Sequence, residues 1–237
     1  LITGLQVFAK DPSHILFVGD SHSYGEFGKA IDGYLRNLAE QVTSVASCGS
    51  SPSTWTSKGS QFKETNCGYW KKNSLNQEVR VKSHELNSLS DEIKKTTPDL
   101  TIIALGTNML SSEAGIQSEI KEVEKMLQQV KEARSTCIWI GPPDLKKDPF
   151  KKNLNLGVTK LKEILEKNNC TFIDSSVVTT YPSGSSDGIH YGAQDSKKWG
   201  DKVVEILDQK IKEKSLLSSP QSSPANNTNP AQVKTKQ

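Results

Sequence analysis

Short apolar runs alternate with amphipathic stretches along most of the chain, and this alternation constrains the fold more than any other feature. The runs begin at residues 14, 42, 99, 137 and 170, and the longest are HILFVGD (14–20) and DLTIIALG (99–106). These two are apolar almost throughout rather than at every second residue, which is typical of strands buried on both faces. The sequence therefore predicts five strands of a parallel sheet.

The stretches between these strands carry apolar residues at helical spacing. The clearest is 111–133, in which one stripe is formed by Ile116, Ile120, Val123, Met126, Leu127 and Val130. Further helices are predicted over 24–40, up to Thr97, over 156–169 and over 193–212. Strands that alternate with helices form βαβ units, so we expect a three-layer α/β/α domain of flavodoxin-like architecture with a five-stranded parallel sheet.

Two segments depart from this alternation. Residues 50–80 are mostly polar, and we interpret them as an insertion beside the second strand. Their aromatic residues, Trp55, Tyr69 and Trp70, either line a sugar-binding cleft or anchor the insertion by packing. Residues 215–237 are rich in Ser, Pro, Asn and Gln, so we expect a disordered tail after a single domain over 1–214.

Charge and composition narrow the range of partners. The 30 basic and 27 acidic residues nearly balance, and no dense basic stripe is interleaved with aromatic residues, so nucleic acid is not expected. No apolar run reaches the length of about 18 residues that a membrane span needs. The histidines are isolated, and no Cys/His cluster has the spacing of a zinc site. We expect a monomer without metal or cofactor that acts on a small-molecule or glycan ester.

The four cysteines allow three disulfide pairings. Cys48 and Cys67 bracket an irregular stretch that a bridge would pin, and Cys137 and Cys170 open two predicted strands at matching positions. These two pairs are favoured, and four buried thiols in a cytosolic enzyme are the alternative. Disulfides favour export to the periplasm or the medium. Because the first residue is Leu1 and not Met, we expect a signal peptide or another segment upstream.

Reactive residues follow the predicted strands, where a parallel sheet presents its ligand-binding edge. Ser21 lies in the segment GDSH (19–22), between the first strand and a helix, which places its amide near a helix N-terminus. An ordinary turn or N-cap serine is the alternative. Gly49 and Asn108 follow the second and third strands and offer a backbone amide and a side-chain amide to a ligand oxygen. Asn108 alternatively caps the next helix.

A base for the serine is found in the loop before the last helix. Asp187 precedes His190 by three positions, so its carboxylate can accept the imidazole Nδ1–H and leave Nε2 for the hydroxyl proton. A simple surface turn is the alternative. The other histidines lie before a strand, next to the serine, or in a polar stretch, and are less suitable: His14, His22 and His84.

Four segments together resemble the sequence blocks of the SGNH (GDSL-like) hydrolase superfamily and span most of residues 15–192: Gly19-Asp20-Ser21, Gly49, Gly106-Thr107-Asn108 and Asp187-x-x-His190. The resemblance implies a serine esterase that needs no cofactor. It implies Ser21 as the nucleophile, His190 as the base and Asp187 as the group that orients the base.

The resemblance also implies an oxyanion hole, formed by the amides of Ser21 and Gly49 and the side chain of Asn108. One position departs from the family pattern, because Met109 stands where an acidic residue often follows the asparagine. This departure concerns the local support of the Asn108 side chain and not the catalytic set, and the least specific of the four matches is Gly49, because a single glycine after a strand is common.

The sequence Gly-Asp-Ser-His further resembles SGNH domains that act on O-acetylated glycans, some of which are fused to membrane acyltransferases. We expect hydrolysis of a small acyl ester, acetyl in the first place, on an extracytoplasmic carbohydrate through an acyl-serine intermediate. The alternatives are the extracytoplasmic SGNH domain of a polysaccharide O-acetyltransferase and a non-catalytic glycan-binding module. The complete set of triad residues disfavours the last.

Overall fold

The computed structural model describes residues 12–57, 60–62, 68–183 and 187–218. Within these ranges the strands are β1 (His14–Gly19), β2 (Gln41–Ser47), β3 (Ser60–Phe62), β4 (Tyr69–Lys72), β5 (Glu78–Val81), β6 (His84–Leu86), β7 (Leu100–Ala104), β8 (Thr136–Ile140) and β9 (Thr171–Ile173). The helices are α1 (Ser21–Tyr24), α2 (Glu26–Leu38), α3 (Pro52–Thr56), α4 (Leu89–Thr96), α5 (Glu113–Glu132), α6 (Phe150–Lys167) and α7 (Ala193–Ser218). No helix in these ranges is long and apolar enough to span a membrane.

Seven of the described strands form one sheet in the order β5-β4-β2-β1-β7-β8-β9. The strands β2, β1, β7, β8 and β9 run parallel, which confirms the predicted α/β class and the five-stranded parallel sheet. Two antiparallel strands, β4 and β5, extend this sheet beyond β2. They lie at the end of the segment interpreted as an insertion beside the second strand, and β4 does pair with β2, so this segment enlarges the sheet.

The side chains of β1 alternate between two apolar layers, one on each face of the sheet. Leu16 and Val18 belong to the layer under α5 and α6, whereas Ile15 and Phe17 belong to the layer under α2 and α7. Each of these four side chains is at most 1% exposed. A strand covered on both faces needs a continuous apolar run, which is the pattern that the sequence has here.

Three helices differ in extent from the sequence prediction. The helix expected over 24–40 is two helices, α1 and α2, with Gly25 between them in an extended conformation. The helix expected from residue 156 begins at Phe150, because Phe150 and Leu154 extend its apolar face among polar neighbours. The last helix continues to Ser218 and so includes the first residues of the expected tail. Residues 219–237 lie outside the described residues.

The tryptophans of the insertion are packing anchors and do not line a cleft. Trp55 is 0% exposed and Trp70 is 1% exposed. Tyr69 is partly buried and stacks on His84, with ring centroids 4.5 Å apart. Of the two roles that the sequence offers for these residues, the tryptophans have the packing role.

A disulfide joins Cys137 on β8 to Cys170, which directly precedes the neighbouring strand β9. Their Cα atoms are 4.7 Å apart, since the two strands start side by side in the sheet. The second expected pair cannot be described in the same way, because Cys67 lies outside the described residues. The pairing Cys48–Cys67 therefore stays a prediction.

Candidate active site

Ser21 is the first residue of α1 and lies directly beyond the carboxyl end of the central strand β1. Asp20 caps this short helix, and its Oδ1 accepts a hydrogen bond of 3.0 Å from the His22 amide. The turn is tight, since a Cβ on Gly19 would lie 2.0 Å from Ser23 Oγ. The sequence Gly-Asp-Ser thus folds into a turn that places Ser21 at the ligand-binding edge of the sheet.

A hydrogen bond of 2.9 Å joins Ser21 Oγ to Nε2 of His190. His190 comes from the loop before α7, so the last loop of the domain meets the turn after its first strand. The other ring nitrogen, Nδ1, lies 2.6 Å from Oδ2 of Asp187. The three residues predicted as a triad are therefore hydrogen-bonded in series, in the arrangement that activates a serine nucleophile.

Asp187 is held as a carboxylate. Partial burial raises its pKa, but hydrogen bonds from the His190 ring and from the Ile189 and His190 amides outweigh burial and lower the pKa to about 2. Both amides donate to Oδ1 over 2.8 Å. The charged Oδ2 thus accepts the Nδ1–H of His190, which leaves Nε2 as the acceptor for the Ser21 hydroxyl.

The loop that carries Asp187 and His190 is fixed by neighbouring segments. The Gly188 carbonyl accepts hydrogen bonds of 2.9 Å from the amides of Lys146 and Lys147. Tyr181 Oη donates to the His190 carbonyl over 3.1 Å. Gly188 has a φ of +77°, and a Cβ there would lie 2.9 Å from the Lys147 nitrogen, so this position requires glycine.

Gly49 and Asn108 border the same cavity as Ser21. Gly49 has a φ of +76°, in the left-handed region that favours glycine. Asn108 Nδ2 donates to the Ser50 carbonyl over 2.8 Å, which orients the amide and leaves its second N–H for a ligand. Ser50, which the sequence did not single out, thus supports Asn108, whereas Met109 is 1% exposed and packs in the core.

All five candidate residues border one open cavity with a volume of about 570 Å³: Ser21, Gly49, Asn108, Asp187 and His190. Two tyrosines that the sequence did not single out, Tyr24 and Tyr191, add aromatic side chains to its wall. The cavity is large enough for a small acyl group together with part of the alcohol to which it is esterified. The arrangement can therefore bring an ester carbonyl to Ser21.

Two titratable side chains are buried next to Ser21. Burial raises the pKa of Asp20 to about 7 and lowers the pKa of His22 to about 3. The His22 ring centroid is 5.2 Å from that of His190, so a neutral His22 adds no positive charge beside the base. Asp20 is thus the helix cap of the turn, and His22 is a neutral packing partner rather than a second base.

We expect Asn108→Ala to lower kcat for ester hydrolysis by about 10²- to 10³-fold, the usual cost of losing one oxyanion donor. KM should change little, because the negative charge on the oxygen develops only in the transition state. Initial rates on p-nitrophenyl acetate measure both constants. The matched control is Asn168→Ala, which removes a similar amide-to-carbonyl hydrogen bond of 2.8 Å at the end of α6. Equal, small effects in the two variants would contradict the role of Asn108.

The sequence matches the model of a known protein family. The model of the GDSL-like lipase/acylhydrolase family matches residues 15–203, from β1 into the last helix. The chain belongs to this family. It is therefore an acylhydrolase, an enzyme of the esterase class, and the resemblance based on four sequence segments is confirmed.

Solved structures share the fold of this GDSL-like acylhydrolase. Est24, a carbohydrate acetylesterase from Sinorhizobium meliloti, is similar with a TM-score of 0.60 and 14% identity, over 83% of this chain and 99% of that chain. An aryl esterase from M. smegmatis is similar with a TM-score of 0.60 and 14% identity, over 83% of this chain and 99% of that chain. The acetyl xylan esterase AlAXEase is similar with a TM-score of 0.54 and 11% identity, over 81% of this chain and 98% of that chain. No curated protein matches the sequence.

Proposed function

We propose that this GDSL-like acylhydrolase is a serine esterase that removes a small acyl group, acetyl in the first place, from an extracytoplasmic carbohydrate. The observation that carries the proposal is the hydrogen-bond series from Ser21 through His190 to Asp187 at the wall of an open cavity. A module that only binds glycans has no need of this arrangement, which supports catalysis over the binding alternative.

The first half of the reaction transfers the acyl group to the enzyme. Ser21 Oγ attacks the ester carbonyl while its proton passes to Nε2 of His190. The carbonyl oxygen becomes negative and accepts hydrogen bonds from the Ser21 and Gly49 amides and the Asn108 side chain. When the tetrahedral intermediate collapses, the bond to the sugar oxygen breaks and that oxygen takes the proton from His190. The acyl group stays as an ester on Ser21.

The second half releases the acid. His190 takes a proton from water as the water oxygen attacks the acyl-serine, and returns it to Ser21 Oγ when the carbon–oxygen bond breaks. Asp187 remains a carboxylate and stabilises the imidazolium formed in each half. If a sugar hydroxyl attacked in place of water, the same steps would transfer the acyl group, as the O-acetyltransferase alternative requires. Release of free acid thus distinguishes hydrolysis from transfer of the acyl group to a sugar.

The composition of the cavity wall supports a short acyl chain and a polar alcohol. Beside the triad, the wall contains polar and aromatic side chains, among them the phenol of Tyr24 and the amide of Asn108. Hydroxyl and amide groups suit the hydroxyls of a sugar better than the methylenes of a lipid. Two proteins of the same fold, Est24 and AlAXEase, are described as esterases of acetylated carbohydrate, which supports the same substrate class.

The disulfide between Cys137 and Cys170 supports an extracytoplasmic location. Disulfides persist in oxidising compartments such as the periplasm and the medium, and are rare in the cytosol. An enzyme in such a compartment meets the polysaccharides of the cell surface, which fits the proposed substrate.

The test is release of acetate from O-acetylated xylan, together with rates on p-nitrophenyl esters of increasing chain length. We expect free acetate from the polysaccharide. We also expect kcat/KM for the acetate ester to exceed that for the octanoate ester by at least about tenfold, since added methylenes must fit a small site. A preference for octanoate would contradict a short acyl group. Acetate that appears on an added acceptor sugar and not in solution would establish a transferase.

A further inference from the structure

Tyr24 forms part of the cavity wall on the same short helix as the nucleophile. It follows Ser21 by three positions in α1, so the two side chains share one face of the helical turn. Tyr24 is partly exposed, and it borders the cavity together with Ser21 and His190. An aromatic ring is therefore placed beside the atom that would attack the ester.

The Tyr24 ring packs against an arginine that also contacts a buried tryptophan. The Arg80 guanidinium lies 4.7 Å from the centroid of the Tyr24 ring and 5.1 Å from that of Trp70. Trp70 is 1% exposed, so Arg80 is anchored against a side chain of the core. Arg80 donates to the Tyr24 carbonyl over 3.0 Å and to Glu78 over 2.7 Å, which holds the guanidinium in place. Arg80 thus fixes the Tyr24 ring at the place where Tyr24 borders the cavity beside Ser21.

We propose that Tyr24 is the platform on which the sugar ring of the ester substrate lies, which makes it a specificity-determining residue; this inference rests on the proposed function. A pyranose presents a face of C–H groups that packs on an aromatic ring, while its hydroxyls point outwards to polar groups. A platform that is already fixed by Arg80 and Trp70 costs little conformational entropy on binding.

The other aromatic residues of the region have different tasks. Trp55 and Trp70 are buried in the core. Tyr191 donates from its hydroxyl to the Asp144 carbonyl over 2.8 Å, and its ring packs against Tyr181 with centroids 5.3 Å apart. Tyr191 is thus engaged in holding the loop of the proposed base. Tyr24, which borders the cavity and whose ring lies against the Arg80 guanidinium, is the better platform.

The experiment compares two acetyl esters that differ in the alcohol: penta-O-acetyl glucose, which is a cyclic sugar, and triacetin, which is an open-chain polyol. Acetate release by both is followed in a pH-stat for the wild type and for Tyr24→Ala, Tyr24→Phe and Arg80→Lys. In Tyr24→Ala, we expect the ratio of kcat/KM for the sugar ester to that for triacetin to fall about tenfold, mainly through KM. Tyr24→Phe keeps the ring, so the ratio should stay within about twofold.

Arg80→Lys keeps the charge but loses the flat guanidinium, so the ratio should fall by a smaller factor than in Tyr24→Ala. Circular dichroism melts check that each variant is folded. An equal loss on both esters, or no loss on either, in Tyr24→Ala overturns the platform. A wild type that hydrolyses triacetin but not the sugar ester overturns the platform and the carbohydrate substrate, while the serine esterase stands. A wild type without activity on either ester overturns the proposed function itself.

Discussion

Replacing Ser21 by alanine is expected to lower kcat on p-nitrophenyl acetate by about a thousandfold or more, because the acyl-enzyme can no longer form. The residual rate should be that of water attack assisted only by substrate binding and the oxyanion donors. His190 Nε2 would lose the hydroxyl that lies 2.9 Å away, and within the described residues no other side chain is hydrogen-bonded to this atom to replace it. The measurement is the initial rate of p-nitrophenol release by equal amounts of the two proteins.

Ser23→Ala is the matched control for this substitution. Ser23 lies two positions further along α1, is 0% exposed and is absent from the wall of the cavity that contains Ser21. Its removal tests whether a missing hydroxyl in this turn disturbs the site in general. We expect Ser23→Ala to keep most of the rate. If both variants lost activity to the same extent, the effect would be on the turn and not on a nucleophile.

The parallel strands were predictable because each of them carries its own hydrophobic pattern in consecutive residues. A strand such as β1 lies between two helical layers, so each of its residues from Ile15 to Gly19 is buried and the run is apolar. The candidate site followed from the same assignment, since Ser21, Gly49 and Asn108 were picked out by their positions directly after strands. Sequence patterns therefore identified those residues whose surroundings are determined by one strand or helix alone.

The antiparallel edge of the sheet was not predicted, because its pattern depends on distant partners. The strand β4 contains Lys71 and Lys72, and lysine is a residue type that is mostly solvent-exposed in proteins. In the structure Lys71 pairs with Glu92 over 2.7 Å and Lys72 with Asp32 over 3.1 Å, so both charges are satisfied beside buried carboxylates. A charge whose partner lies some twenty or forty residues away leaves no periodic signal.

The residues that support the candidate site were missed for a related reason. Asn108 is oriented by a backbone carbonyl, that of Ser50, and any residue type supplies the same group. The position of Tyr24 depends on Arg80, which is distant in the chain and reaches it only because β5 joins the sheet. Sequence patterns therefore identified the groups proposed to react and the Asp187 carboxylate that orients the base, but not the groups that hold Asn108 and Tyr24 in place.

Replacing Asp187 by asparagine is expected to lower kcat by about 10³- to 10⁴-fold, although the variant has nearly the same shape. The asparagine oxygen can still accept the Ile189 and His190 amides, which now donate to Oδ1 over 2.8 Å. Its NH₂ group would then face His190 Nδ1, which must become an acceptor. The ring proton moves to Nε2, and Nε2 can no longer accept the proton of the nucleophile.

The loss in Asp187→Asn should appear in kcat at every pH above about 4, because the wild-type carboxylate, whose pKa is about 2, is charged throughout this range. Rates on p-nitrophenyl acetate between pH 5 and pH 9 measure it, and the melting temperature checks that the loop is intact. The control is Asp195→Asn, which removes a charge paired with Lys198 on the first turns of α7. A rate for Asp187→Asn within about tenfold of the wild type would mean that His190 is oriented mainly by its backbone contacts, such as that from Tyr181, and that serine and histidine act as a dyad.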